Sequence, residues 1–129
     1  SMVFVGDTLF SLGCGRLFEG TFGEMWDSLG RLSALPDETL VYPGHEYTLA
    51  NCNFALSLKP NDPFLNKLKE TLEKKMAAGE PSIPSTLAFE KQFNPFLACG
   101  NETWVKSRAI PEKAGVSAFR FLRQKKDQY

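Results

Sequence analysis

Apolar and polar positions change period several times along the chain, and each change marks an element. Met2-Val3-Phe4-Val5 is an unbroken apolar run closed by Gly6-Asp7, which reads as a buried strand, and Thr8-Leu9-Phe10 reads as a second short strand after the turn. Gly13, Gly15 and Gly20 then make residues 11–20 a loop free to take unusual backbone angles. Thr21, with Glu24 three residues on, forms a capping box and starts a helix. Phe22, Met25, Trp26, Leu29 and Leu32 repeat at helical spacing until Pro36-Asp37 stops them, and Leu40-Val41-Tyr42 is a third strand ending at Pro43-Gly44.

Helical periods dominate the remainder. One helix is predicted from Thr48 to Leu58. A second is capped by Asp62, carries Pro63 in its first turn and runs to about Ala78 with an apolar stripe of Phe64, Leu65, Leu68, Leu72 and Met76. Residues 80–100, with Pro81, Pro84, Pro95 and Gly100, read as an ordered connection, because Phe89, Phe93 and Phe96 need burial. Two last helices are predicted over 101–109 and 111–126, the second opened by Pro111. The order implies an α/β (α+β) chain, with a layered unit over residues 1–46 and a helical unit over 47–129.

Composition narrows the function classes. A chain of 129 residues that is 43% hydrophobic can bury one compact core. Fifteen Lys+Arg balance fifteen Asp+Glu, so no net field draws it to nucleic acid or membrane, and neither is expected as a partner. No apolar run approaches the roughly 20 residues of a spanning helix. Cys14, Cys52 and Cys99 are odd in number and form no C-x-x-C pair, which argues against a disulfide framework and for a reducing compartment. The expected location is cytoplasmic, with an organelle such as the mitochondrion as the alternative. Ser1 before Met2 reads as an expression scar, and the immediate apolar run as the start of a truncated domain.

Two polar residues stand at strand ends: Asp7 after the first, and His45, the single histidine, after the third, in Pro43-Gly44-His45-Glu46. In a layered α/β unit such ends share a rim, where a carboxylate and an imidazole can converge on one metal or substrate. On the residues alone the plainer readings are preferred: Asp7 bonding backbone N–H groups in a tight turn, and His45 as a surface histidine.

The strings themselves add more. Gly6-Asp7-Thr8-Leu9-Phe10, Gly13-Cys14-Gly15-Arg16, Phe18-Glu19-Gly20-Thr21, Gly44-His45-Glu46-Tyr47-Thr48, Pro84-Ser85-Thr86-Leu87, Asn94-Pro95-Phe96 and Lys126-Asp127-Gln128-Tyr129 occur in that order. This pattern resembles the C-terminal half of the hydroxyacylglutathione hydrolase (glyoxalase II) family and covers almost the whole chain. The resemblance implies the second half of a metallo-β-lactamase αββα sandwich followed by a helical C-terminal domain that helps bind glutathione. It implies hydrolysis of S-D-lactoylglutathione to D-lactate and glutathione, a step of methylglyoxal detoxification, by a hydroxide held on two divalent metal ions, zinc first and iron or manganese next, with no protein nucleophile.

Carried over by position, Asp7 matches a carboxylate that bridges the two ions and His45 a ligand of the second. Arg16 matches a basic residue that grips a glutathione carboxylate, Tyr47 a tyrosine that contacts the glutathione backbone, and Arg123 and Lys126 the basic residues of the last helix that reach the same tripeptide. The plainer reading of Arg123 and Lys126 is a solvated basic helix end that complements the helix dipole. Phe18 replaces a tyrosine of the family, so a hydroxyl contact to substrate is missing.

The family also carries a Thr-His-x-His-x-Asp-His segment and a further histidine ahead of the matched region. A chain with one histidine cannot assemble three-histidine ligation, so it is expected to be inactive alone. The same departure keeps open a non-catalytic glutathione-binding or interaction module. A sheet left uncovered around Val3, Phe4 and Val5 would favour self-association.

Overall fold

In the computed structural model, which describes residues 1–15 and 21–129, the fold is mixed helix and sheet, as the alternation of periods predicts. Strand β1 (Met2–Gly6) pairs in parallel with β4 (Leu40–Pro43), with Val3 opposite Val41 and Phe4 opposite Tyr42, and the register shifts between Phe4 and Gly6. A parallel pair needs a crossover, and helix α1 (Phe22–Ser33) lies in it. On the far side of β4 a two-residue strand, β5 (Ser85–Thr86), pairs antiparallel, so the order is β1-β4-β5 with β4 central. Strands β2 (Leu9–Phe10) and β3 (Gly13–Cys14) form a separate antiparallel hairpin.

Local chemistry sets the helix starts where the pattern places them. The Thr21 hydroxyl accepts from the Glu24 N–H at 3.1 Å and opens α1. Asp62 Oδ1 accepts from Phe64 and Leu65 N–H at 3.0 and 3.1 Å and opens α3 (Pro63–Ala77), while its Oδ2 takes Arg108 Nη2 at 2.9 Å. Between these, α2 (Thr48–Leu58) is buried on several sides, at Asn51, Cys52, Phe54, Ala55 and Leu56. The α3 stripe is narrower than its spacing suggests. Leu65 and Leu72 are buried, but Phe64 and Met76 are exposed, Phe64 with its ring stacked on Phe93.

Residues 80–100 form the ordered connection expected, with short elements of their own that the pattern does not show. They contain β5, α4 (Leu87–Phe93) and α5 (Pro95–Ala98), capped by Thr86 accepting from Phe89 N–H and by Asn94 accepting from Phe96 N–H. Elements of two to seven residues carry too few positions for a period to be read. Helix α6 (Glu102–Ser107) stops short of 109, with Ala109 at a φ of 53°. The last helix, α7 (Val116–Asp127), begins at residue 116 rather than 111, because Gly115 takes a φ of 105°, which is incompatible with helix, and donates its N–H to the Cys99 carbonyl.

The main core draws on both halves of the chain. Phe119 of α7 meets Trp26 and Phe22 of α1 and Phe96 of α5 at centroid distances of 5.7 to 6.4 Å, and Phe96 stacks on Phe54 of α2. A second cluster of Leu12, Cys52, Ala55, Leu56, Leu65 and Leu72 lies between α2, α3 and the hairpin tip. On β1 the alternation turns Val5 inward and leaves Phe4 74% exposed, with its ring stacked on Tyr42.

The hairpin tip is tied to α4 by a fully buried polar pair. Glu90 accepts from the Ser11 hydroxyl at 2.9 Å, the Leu12 N–H at 2.8 Å and the Asn94 amide at 3.1 Å. Asn94 Nδ2 also donates to the carbonyls of Phe10 and Gly13. Leu12 sits at a φ of 62°, a region that side chains other than glycine enter at a cost, and the bond to Glu90 holds it there.

Burial pushes the Glu90 carboxyl above the ordinary carboxylate value, against the hydrogen bonds that pull it down. Stability from a group with a raised folded pKa is complete below its unfolded pKa and is lost as pH rises through the folded one. Urea unfolding across pH should therefore show wild type losing stability relative to Glu90→Gln as pH rises past the ordinary carboxylate range. An identical pH slope for the two proteins would refute this. Glu90→Ala, which takes the acceptor from the Leu12 N–H and the Ser11 hydroxyl, should cost about 2 kcal/mol or more throughout.

Candidate functional site

Parallel pairing of β1 and β4 brings the two strand ends to one rim. Gly44 N–H donates to the Gly6 carbonyl at 2.8 Å, and a Cβ on Gly44 would stand 3.0 Å from Asp7 Oδ1, so the chain after β4 lies directly against the turn after β1. Asp7 Oδ1 and His45 Nε2 are consequently 3.3 Å apart, with both side chains open to solvent. The His45 ring stacks on Tyr47 at 5.2 Å, and Phe10 sets its edge against Tyr47 at 4.9 Å.

These residues border a cleft of about 520 Å³, shared with Cys14, Gly15, Asn51, Arg123 and Lys126. Its floor is built of backbone. A Cβ on Gly15 would lie 1.9 Å from the Asp7 carbonyl oxygen, so only glycine lets β3 close on the Asp7 turn, where Gly15 N–H donates to the Thr8 carbonyl.

The two cations of α7 stand differently in the cleft. Arg123 is 2% exposed: Nη1 donates to the Cys14 carbonyl at 2.8 Å, while Nε and Nη2 donate to Asp127 Oδ1 at 3.1 and 2.9 Å. Its guanidinium lies over the Phe96 ring. All three nitrogens thus work within the chain, clamping β3 to α7. Lys126, three residues on and on the same helix face, donates to Asn51 Oδ1 and lies 5.1 Å from the centre of the Phe54 ring.

The Cys14 thiol is pushed up to about 11 by burial, although Arg123 pulls it down, so at neutral pH it is a protonated thiol and no nucleophile. Behind the rim, burial raises the Glu46 carboxyl, but hydrogen bonds from the Ser82 hydroxyl and N–H and from Thr48 outweigh it and hold the group below its ordinary value.

Comparison with known proteins decides the family. The family model described as hydroxyacylglutathione hydrolase C-terminus matches residues 46–129. The chain belongs to the hydroxyacylglutathione hydrolase family. It is 48% identical over 128 residues to the hydroxyacylglutathione hydrolase of Maricaulis maris, covering 99% of this chain and 50% of that protein. It is 46% identical over 127 residues to that of Roseobacter denitrificans, covering 98% and 50%, and 53% identical over 105 residues to that of Nitrosomonas eutropha, covering 81% and 41%. The chain therefore spans about half the length of these hydroxyacylglutathione hydrolases.

Of the residues singled out from the hydroxyacylglutathione hydrolase resemblance, the fold brings Asp7, His45, Tyr47, Arg123 and Lys126 to one cleft, while Arg16 and Phe18 lie outside the described residues. Among the described residues no group of three or more His, Cys, Asp or Glu side chains is placed to hold one metal ion. Asp7 and His45 fit a share of a nitrogen and oxygen donor set for a divalent ion, since both are ionisable or basic, adjacent and accessible. No helix among these residues is long and apolar enough to cross a membrane.

Asn51 lines the cleft and Glu90 supports it without having been singled out in the sequence, and Asn94 was noted there only as part of the Asn94-Pro95-Phe96 string. Asparagine is a poor residue for a helix interior, but Asn53 two residues on gives the same signal as Asn51, so local sequence does not tell the buried one from the other.

Close backbone packing at the floor makes Gly15→Ala costly. The substitution should lower unfolding stability by about 2 kcal/mol or more, as overpacking against backbone cannot be relieved by a rotamer change; a drop within a few tenths in urea titration would contradict it. Iodoacetamide at pH 8 should label all three buried cysteines far more slowly in the native chain than in urea, since burial raises each thiol, Cys52 to about 11 and Cys99 to about 12. Native-state labelling of Cys14 at free-thiol rates would sink that expectation.

Proposed function

We propose that this chain supplies one part of the site of a metal-dependent thioester hydrolase that converts S-D-lactoylglutathione and water to D-lactate and glutathione, and that the chain alone does not catalyse the reaction. The observation that carries the reading is the Asp7–His45 pair at 3.3 Å on the rim of a cleft that also presents Tyr47 and Lys126. Asp7 and His45 would hold divalent metal, zinc ahead of iron or manganese, and need ligands beyond the two they provide. Lewis acidity toward the acyl carbonyl and a lowered water pKa are what such ions supply when bound.

The chain's own residues bind and shape. Tyr47 and Phe10 give the cleft an aromatic wall for the tripeptide and its acyl group. Lys126 places positive charge where glutathione carboxylates can meet it, with Arg16 as a further grip and Phe18 contributing bulk without a hydroxyl. Arg123 serves by fixing the Cys14–Gly15 floor. The overall reaction joins the water oxygen to the acyl carbon and breaks the C–S bond, and glutathione leaves as a thiolate, the stable anion of a group whose ordinary pKa is about 8.5.

The test is S-D-lactoylglutathione hydrolysis with added zinc, by this chain alone and by the chain co-expressed with the N-terminal half of one of its relatives. Activity only in the pair is the expected result. A folded pair that binds zinc and stays inactive would instead favour a glutathione-binding module without hydrolysis, the reading that the two-ligand set also allows.

A further inference from the structure

Asn51 is 5% exposed and lies inside α2, four residues after Tyr47 and on the same helix face. Its amide faces two ways. Nδ2 donates to the Ser11 carbonyl at 3.1 Å, and Oδ1 accepts from the Lys126 ammonium. A carbonyl on one side and an ammonium on the other leave one orientation for the amide, so the side chain cannot flip without placing like against like. Gly13 is shaped around it: a Cβ there would stand 2.5 Å from Asn51 Nδ2 and 2.7 Å from its Cγ. The amide is therefore locked between the hairpin, itself tied down by Glu90 and Asn94, and the last helix.

Lysine is a flexible stem carrying a point charge, and its use in recognition depends on how narrowly that charge is placed. We propose that Asn51 is a positioning residue for anion recognition, holding the Lys126 ammonium at the cleft so that a carboxylate of a glutathione thioester meets a fixed charge. The Phe54 ring beneath the ammonium, 5.1 Å away, adds to the seat and presents its electron-rich face to the charge. This inference rests on the proposed glutathione-thioester reading of the cleft. It assigns Asn51 no contact with substrate; the residue acts through Lys126.

The test reads binding rather than turnover, so it needs no metal and uses this chain as it is. The probes are S-methylglutathione and its dimethyl ester, titrated calorimetrically, the ester having its carboxylates capped. Wild type should bind the acid more tightly than the ester. Asn51→Ala should weaken the acid by roughly tenfold, the size of one lost charge-assisted contact, and leave the ester unchanged.

Asn51→Asp, of the same shape, sets a negative charge against the ammonium and should cost the acid at least as much, which keeps the test usable if the alanine variant does not fold. Lys126→Met should lose acid affinity alike, and Asn51→Ala added to Lys126→Met should cost nothing further, the signature of two residues acting as one unit. Equal weakening of acid and ester, or losses that add in the double variant, would overturn the role of Asn51 while leaving the cleft reading intact. Failure of wild type to bind either probe would overturn the cleft reading and this inference together.

Discussion

The buried pairing of Glu90 and Asn94 with the hairpin tip is the constraint on which the cleft depends. Residues 10–13 turn the carbonyls of Phe10 and Gly13, the Leu12 N–H and the Ser11 hydroxyl inward, away from water. Polar backbone can be buried only against polar partners, and a half-satisfied set is worse than none. Two side chains one turn apart, Glu90 on α4 and Asn94 just after it, supply those partners together, and Asn94 then caps α5 through its remaining oxygen. That clamp places the backbone leading out of the hairpin: Gly13 against Asn51, Cys14 and Gly15 against Arg123, and Gly15 against the Asp7 turn.

Much of the architecture was readable from periodicity and caps. The first strand, the strand at Leu40, and helices α1 and α3 fall where spacing and capping place them, because each has either a run long enough to show its pattern or a cap chemically suited to start it, while α2, with no cap bond and burial on several sides, is bounded by the breaks at Pro43-Gly44 and Lys59-Pro60. Strands β3 and β5 and helices α4 and α5 were hidden, being shorter than any period, and their formation is decided by partners far off in sequence. For α7, Pro111 suits a first helical turn, yet the true boundary is set four residues later by Gly115.

The cleft was readable at its rim and opaque at its floor. Strand ends mark Asp7 and His45, and a basic helix terminus marks Arg123 and Lys126, but on the residues alone the plainer readings of all four are preferred, and the resemblance is what singles them out. Nothing local tells Glu90, next to Lys91 and in a short helix, from an ordinary solvated carboxylate; its partners on the hairpin are 78 and 79 residues away. Nor does sequence separate the two cations. One is nearly sealed from water and holds a carbonyl and a neighbouring carboxylate, as buried charge requires, while the other is turned by Asn51 toward the cleft. The same helix end thus contributes scaffold and charge, three residues apart.

The parallel alignment of β1 with β4 carries a consequence for how this cleft tolerates change. Asp7 and His45 are neighbours because each closes a strand, and the strands are held side by side by their own ladder. Helix α1, which lies between them in the chain, packs on the core, and the ladder sets the spacing of the pair. The Pro36-Asp37 turn is no loose corner of that path, because the Asp37 carbonyl accepts from the Ala88 N–H at 2.9 Å and its carboxylate pairs with Lys91, so a change of length there would pull on α4 and, through Glu90, on the hairpin that floors the cleft.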